Sequence, residues 1–66
     1  MTILKNKCRC KKCGTVIESK HRHDFVWCEC GSIYTDGGTE YIRRGWPGGD
    51  ANDWIEEMSE FDDNEG

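Results

Sequence analysis

Nothing in these 66 residues approaches the run of about 20 apolar residues that a bilayer-spanning helix needs. Only 35% of the chain is apolar and a third is charged, so any core must be thin. Domains this small bury about 60% of their unfolded surface and often need a metal or a partner to hold. Met1-Thr-Ile-Leu-Lys5 is too short an apolar stretch for a signal peptide. The expectation is a cytoplasmic chain with reduced thiols, which argues against a disulfide framework, as does the odd count of five cysteines. There is no Gly-rich phosphate loop and no internal repeat beyond the two cysteine clusters. Bases are missing from the C-terminal part. Residues 50–66 carry eight acids and no Lys or Arg, a charge of −8, while residues 1–49 hold all nine bases against five acids, a charge of +4. The head suits an anion and the tail a cation.

What is present is organised around Cys10-x-x-Cys13-Gly14 and Cys28-x-Cys30-Gly31. Two cysteine pairs on tight turns, each closed by glycine, supply four thiolates to a tetrahedral ion at about 2.3 Å. Glycine allows the positive φ with which the backbone curls beneath the sulfurs. Cys10, Cys13, Cys28 and Cys30 are the expected ligands and structural Zn2+ the expected cofactor, with iron in a four-thiolate site the rival. Cys8 makes a fifth thiol. Cys10-x-x-Cys13-Gly14 has the commoner knuckle spacing, so Cys8 is surplus: a replacement ligand, an oxidisable thiol or a small buried hydrophobe. Four thiolates leave no open position for water, and no nucleophile stands at recognisable spacing from His21, His23 and Asp24. A non-enzyme is expected.

The expected fold is a small zinc-stabilised β domain, zinc-ribbon-like, with three or four antiparallel strands and two knuckles over residues 1–49. An acidic amphipathic helix and disordered tail fill residues 50–66. Ile3 and Leu4 add an edge strand, and strands leave and enter the knuckles at Thr15–Ser19, Asp24–Cys28 and Ser32–Thr35. Phe25 and Trp27 fall on one face and Val26 on the other. Asp36-Gly37-Gly38 signals a hairpin with Thr39–Arg44 as its return strand. Gly45-Trp-Pro-Gly-Gly49 breaks the sheet as a hinge. Asp50 or Asn52 then caps a helix whose Ala51, Trp54, Ile55, Met58 and Phe61 form an apolar arc, with Asp53, Glu56, Glu57 and Glu60 around it.

Two groups are candidates for binding. Asp36, Gly37, Tyr41, Arg43 and Arg44 place a ring and cations on one strand, suited to a small anionic ligand such as a nucleotide, within a homo-oligomer if a pocket is to form. Trp54, Glu56, Glu57 and Glu60 suit docking of a helix onto a partner protein, or closure of the domain's own core. Nucleic-acid binding has Lys5, Lys7, Arg9, Lys11, Lys12, Lys20 and Arg22, with Trp27, Tyr34 or Tyr41 to stack, but a pI near 5 and the acidic tail oppose it.

Taken together, Cys10-Lys-Lys-Cys13-Gly14, Ile17-Glu18-Ser19, His23-Asp24-Phe25, Cys28-x-Cys30-Gly31, Asp36-Gly37-Gly38 and Tyr41-x-Arg43-Arg44 resemble a family of short uncharacterised proteins of bacteria and their phages. The resemblance spans residues 8–44 and implies no particular activity. Its members lack a cysteine at the position of Cys8, which agrees with a surplus thiol. It implies a small accessory protein of a phage or mobile element, one that binds and inhibits or modulates a host protein, including components of defence.

Overall fold

The computed structural model describes residues 2–62. Seven strands follow one another: β1 (Thr2–Cys10), β2 (Val16–Ser19), β3 (Val26–Trp27), β4 (Tyr34–Asp36), β5 (Arg43–Gly45), β6 (Ile55–Glu57) and β7 (Glu60–Asp62), with a 3-10 turn at Ala51–Asp53 before β6. All pairings are antiparallel, in two sheets.

β1 is the centre of the first sheet and not an edge. Its nine residues pair with β2 on one side, Cys8 opposite Ile17. On the other side Cys10 lies opposite Ile55 of β6, and Ile3 opposite Phe61 of β7, with a register shift between Ile3 and Lys5. Period-2 alternation turns Asn6, Cys8 and Cys10 inward and Lys5 and Arg9 outward. The second sheet runs β3-β4-β5, with Trp27 opposite Tyr34 and Tyr34 opposite Gly45. The two sheets share one small core of Cys8, Cys10, Ile17, Cys28, Ile33 and Ile55, against which Val26 and Trp54 pack.

The C-terminal helix does not form. Asp50 does act as a cap, its side chain accepting from the Asn52 N–H, but it caps only the three-residue 3-10 turn. Beyond it the chain extends as β6 and β7 along β1. An isolated helix of some eleven residues is marginal in water. The other edge of β1 offers the same backbone ladder bonds for β6 and β7, and its acids meet three cations, two on β1 and one on β5. Arg9 reaches Glu56 at 2.7 Å, Arg44 reaches Glu57 at 2.6 Å and Lys5 lies 3.9 Å from Glu60. Ser59 joins the seam, its hydroxyl accepting from the Lys7 N–H and donating to the Lys7 carbonyl. The disorder expected at the end of the chain concerns residues 63–66, outside the described part.

Two smaller corrections concern the chain after β4. The return strand is only Arg43–Gly45, and residues 37–42 form a broader loop in which the Glu40 and Tyr41 N–H groups both reach the Gly37 carbonyl. A Cβ on Gly37 (φ 106°) would lie 2.0 Å from the Tyr41 carbonyl oxygen, so only glycine fits there. The segment after Gly45 is tethered: the Trp46 indole donates to the Gly49 carbonyl and that of Trp54 to the Gly48 carbonyl. Among the described residues no helix is long and apolar enough to cross a membrane.

A candidate metal centre

Each cysteine pair lies where one strand hands over to the next. The first knuckle joins β1 to β2 and the second joins β3 to β4. They are built alike. In the first, the Cys10 N–H donates to the Thr15 carbonyl and the Gly14 N–H to the Cys10 carbonyl. In the second, the Cys28 N–H donates to the Ile33 carbonyl and the Gly31 N–H to the Cys28 carbonyl. Gly14 (φ 80°) and Gly31 (φ 75°) supply the positive φ at the same place in each turn. Backbone N–H groups of Cys13 and Ile33 lie 3.4 Å from the sulfurs of Cys10 and Cys28. Thr15 and Ser32 hydroxyls lie 3.2 Å from those of Cys13 and Cys30.

The result is that the four Sγ atoms of Cys10, Cys13, Cys28 and Cys30 all lie within 4.8 Å of one another. Cys10 to Cys30 is 3.6 Å and Cys28 to Cys30 is 3.5 Å. A tetrahedron with metal–sulfur bonds of about 2.3 Å has edges of about 3.8 Å, so the donor set fits a four-thiolate ion. No disulfide joins them. Cys10 and Cys28 are buried and Cys13 and Cys30 exposed, which leaves the site with a sealed side and an open one.

The same surroundings set the ionisation of the thiols. Burial pushes Cys10 up to about 11. The Thr15 hydroxyl, with backbone N–H groups, draws Cys13 down to about 5. Burial opposes ionisation of Cys28, but the Ile33 N–H and the neighbouring Cys30 and Cys10 thiols outweigh it and lower its pKa. With the Cys13 and Cys28 thiols lowered and Cys10 raised, a cation binding here must displace the proton of Cys10. Cys8 is fully buried on β1, outside this cluster, and burial pushes its thiol up to about 11. It is a small core residue. Neither His21 nor His23 belongs to the cluster.

The other expected site residues scatter. Asp36 is buried, one carboxylate oxygen accepting from the Tyr41 hydroxyl at 3.3 Å, and the same hydroxyl lies 3.2 Å from His23 Nδ1. Arg43 is exposed, but Arg44 on the next position turns inward. Its guanidinium donates to Asn6 Oδ1 at 2.6 Å, to Thr35 Oγ1, to Ser59 Oγ at 2.9 Å and to Glu57. Tyr41 lies in the loop before β5, so it and Arg43 do not share a strand face as expected. Trp54 lies under Lys12, whose Nζ is 4.8 Å from the ring centroid. Glu56, Glu57 and Glu60 face cations of their own chain.

Spacing alone did not single out the outward face of the second sheet as a unit. Tyr34 lies 4.8 Å from Phe25 and 4.9 Å from Trp27, centroid to centroid, and Trp46 stands nearby across a cleft. The period-2 placement of Phe25 and Trp27 was its only signal in the sequence.

No curated protein and no solved structure matches the chain. A family model does match, over residues 2–46, which take in β1 to β5 and both knuckles and stop short of β6 and β7. By that match the chain belongs to the family described as Domain of unknown function (DUF7695).

Proposed function

We propose that this is a zinc-ribbon-like binding module, encoded by a phage or mobile element, that works in the host cytoplasm without catalysis. It docks on a host protein, a defence component among the candidates, and inhibits or modulates it. Zinc held by Cys10, Cys13, Cys28 and Cys30 is structural, because four thiolates fill its coordination sphere. What the ion supplies is cross-linking of the two sheets.

The observation that carries the binding role is the exposed aromatic face. Phe25, Trp27 and Trp46 are 49%, 55% and 39% exposed in a domain whose buried apolar core has six residues. A chain so short of apolar residues would gain by burying these, and clustered exposed aromatics are the usual anchors of protein interfaces. The phage setting rests on the family resemblance. Support for a small-anion site is thinner, since Arg44 is committed to Asn6, Thr35 and Glu57.

The test is capture from a bacterial lysate by the zinc-loaded chain, beside a Phe25→Ala/Trp27→Ala variant with unchanged melt and metal content. Retention of one host protein by the native chain and its loss from the variant is expected. Equal capture by both, or recovery of nucleic acid alone, would refute the reading.

A further inference from the structure

We propose that the cleft beside the second knuckle receives a proline-rich segment of the partner in the polyproline II conformation. This rests on the protein-binding role above and names the chemistry of the contact. The cleft, about 380 Å³, is walled by Trp27, Tyr34, Trp46 and Pro47, with Gly31, Gly45 and Ser32 completing it.

Charge decides first. The lining contains no Asp, Glu, His, Lys or Arg. Arg44, next to Gly45, has its side chain only 10% exposed and spends its guanidinium on Asn6, Thr35, Ser59 and Glu57. The exposed Arg43 is paired in register with Asp36, one row beyond the Thr35–Arg44 pair, and is not in the lining. A phosphate or an ammonium group would enter without a counter-charge, so a nucleotide chain and a lysine-bearing peptide are both disfavoured. An uncharged apolar ligand is matched.

Hydrogen bonding decides next. Trp46 and Trp54 each donate their indole N–H to a carbonyl of their own chain. Among the described residues the Trp27 indole N–H and the Tyr34 hydroxyl have no such acceptor. The cleft therefore brings rings that carry spare donors. A polyproline II segment is the complementary object: its backbone makes no internal hydrogen bonds, and each proline offers a carbonyl acceptor and no N–H. Its pyrrolidine rings stack on aromatic walls, the mode by which aromatic-lined grooves take such peptides.

Two of the cleft's rings are also held by their own chain. Tyr34 is held between Phe25 and Trp27 and lies against bare backbone at Gly45, where a Cβ would come 1.9 Å from its Cε2. Trp46 is fixed by its bond to the Gly49 carbonyl. Both the rings and a polyproline helix are ordered before they meet, so little entropy is lost on contact.

The test uses the zinc-loaded full chain and a fluorescein-labelled ten-proline peptide followed by anisotropy, with a Gly/Ser peptide of equal length as control. Saturable binding of the proline peptide alone is expected, at least tenfold weaker for Trp27→Ala. Tyr34→Phe keeps the ring and removes only the donor, and should weaken binding severalfold without altering the melt. Lys20→Ala, away from the cleft, should change nothing. No saturable binding, or equal binding of the Gly/Ser peptide, overturns the proposal. So does binding of a single-stranded oligonucleotide through Trp27 at physiological salt, or self-association that buries Trp27. If a host protein is captured through Trp27 but the proline peptide fails to compete, this inference falls and the binding role stands. If no host protein is captured, the role itself falls.

Discussion

Besides their shared apolar core, the two sheets meet in the described residues at two further joints, and these are chemical opposites. One is the sulfur site, where Cys10 and Cys13 of the first knuckle meet Cys28 and Cys30 of the second. The other is a buried polar clamp. Asn6 of β1, with no exposed surface, donates to the Asp36 and Tyr41 carbonyls at 2.9 and 3.2 Å and accepts from Thr35 at 2.7 Å and Arg44 at 2.6 Å. Ser19 of β2 extends it, its hydroxyl donating to the Asp24 carbonyl at 2.7 Å and accepting from the Gly38 N–H at 2.9 Å. The clamp is satisfied mainly by the chain's own groups, whereas the four sulfurs are brought together as donors for a cation from outside. On the proposed function, a domain with a six-residue apolar core is held by one joint that depends on an outside ion and one that does not.

The comparison is broken most severely at the sulfur site. Cys13→Ser or Cys28→Ser should abolish stoichiometric zinc and leave the chain without a cooperative melt, as should chelation of the native protein. Structural zinc supplies on the order of 10–16 kcal/mol of apparent binding free energy, against a net stability of roughly 5–15 kcal/mol for typical domains. Circular dichroism with metal analysis reads both. A chelated chain that still melts cooperatively would make the polar clamp sufficient by itself.

Next comes the clamp. Asn6→Ala strands two carbonyls, a hydroxyl and a guanidinium N–H at once. Leaving buried groups without partners costs about 1–3 kcal/mol, more where a charge is involved, so a loss on the order of 3 kcal/mol is expected by urea unfolding. Zinc should stay at one per chain. Loss of the metal along with the clamp would show that the two joints are not independent.

These two joints differ as much in legibility as in chemistry. The sulfur site was readable because its information is local: Cys10, Cys13 and Gly14 announce a turn within five residues, and the second knuckle repeats it. The clamp was not. Asn6 and Arg44 are 38 residues apart, and either would pass for a solvated side chain. The same limit explains the C-terminal segment. Ala51, Trp54, Ile55, Met58 and Phe61 fit a helical arc, yet Ile55 is also the single residue that a short strand needs to turn inward. What decided between them was the free edge of β1 and the cations Arg9, Arg44 and Lys5 standing opposite Glu56, Glu57 and Glu60. That is tertiary information which no window of the tail contains.

Cys8 lies between the joints and tests where one ends. It is buried beside the cluster on β1 but outside it, so Cys8→Ala should keep one zinc per chain and cost about 1 kcal/mol for the small cavity. Zinc loss in this variant, read by metal analysis after gel filtration, would move Cys8 into the ligand set.

The smallest effect separates the joints by pH. Burial opposes ionisation of Glu57, but its hydrogen bonds to Ser59 and the adjacent Arg44 guanidinium prevail and lower its pKa below the ordinary 4.5. A carboxylate whose folded pKa is depressed contributes stability that is fully present above the unfolded value and is lost as pH falls through the folded one. Glu57→Gln should therefore destabilise by the same amount at pH 7 and pH 5, and the difference should close only below about 4.5. Because the Glu57 side chain is 51% exposed, solvent screens the pair and the loss should stay under about 1 kcal/mol. The sulfur site loses strength in the same direction. Its ligands must shed protons to hold the ion, so the site weakens as the solution is acidified. Zinc release, followed with a chromophoric chelator, should accordingly increase as pH falls, and the Glu57→Gln comparison is read at pH values where the metal is still bound. If the Glu57→Gln difference already vanishes between pH 7 and pH 5, the carboxylate is not held ionised by Ser59 and Arg44, and the seam between β1 and the C-terminal strands rests on its other contacts.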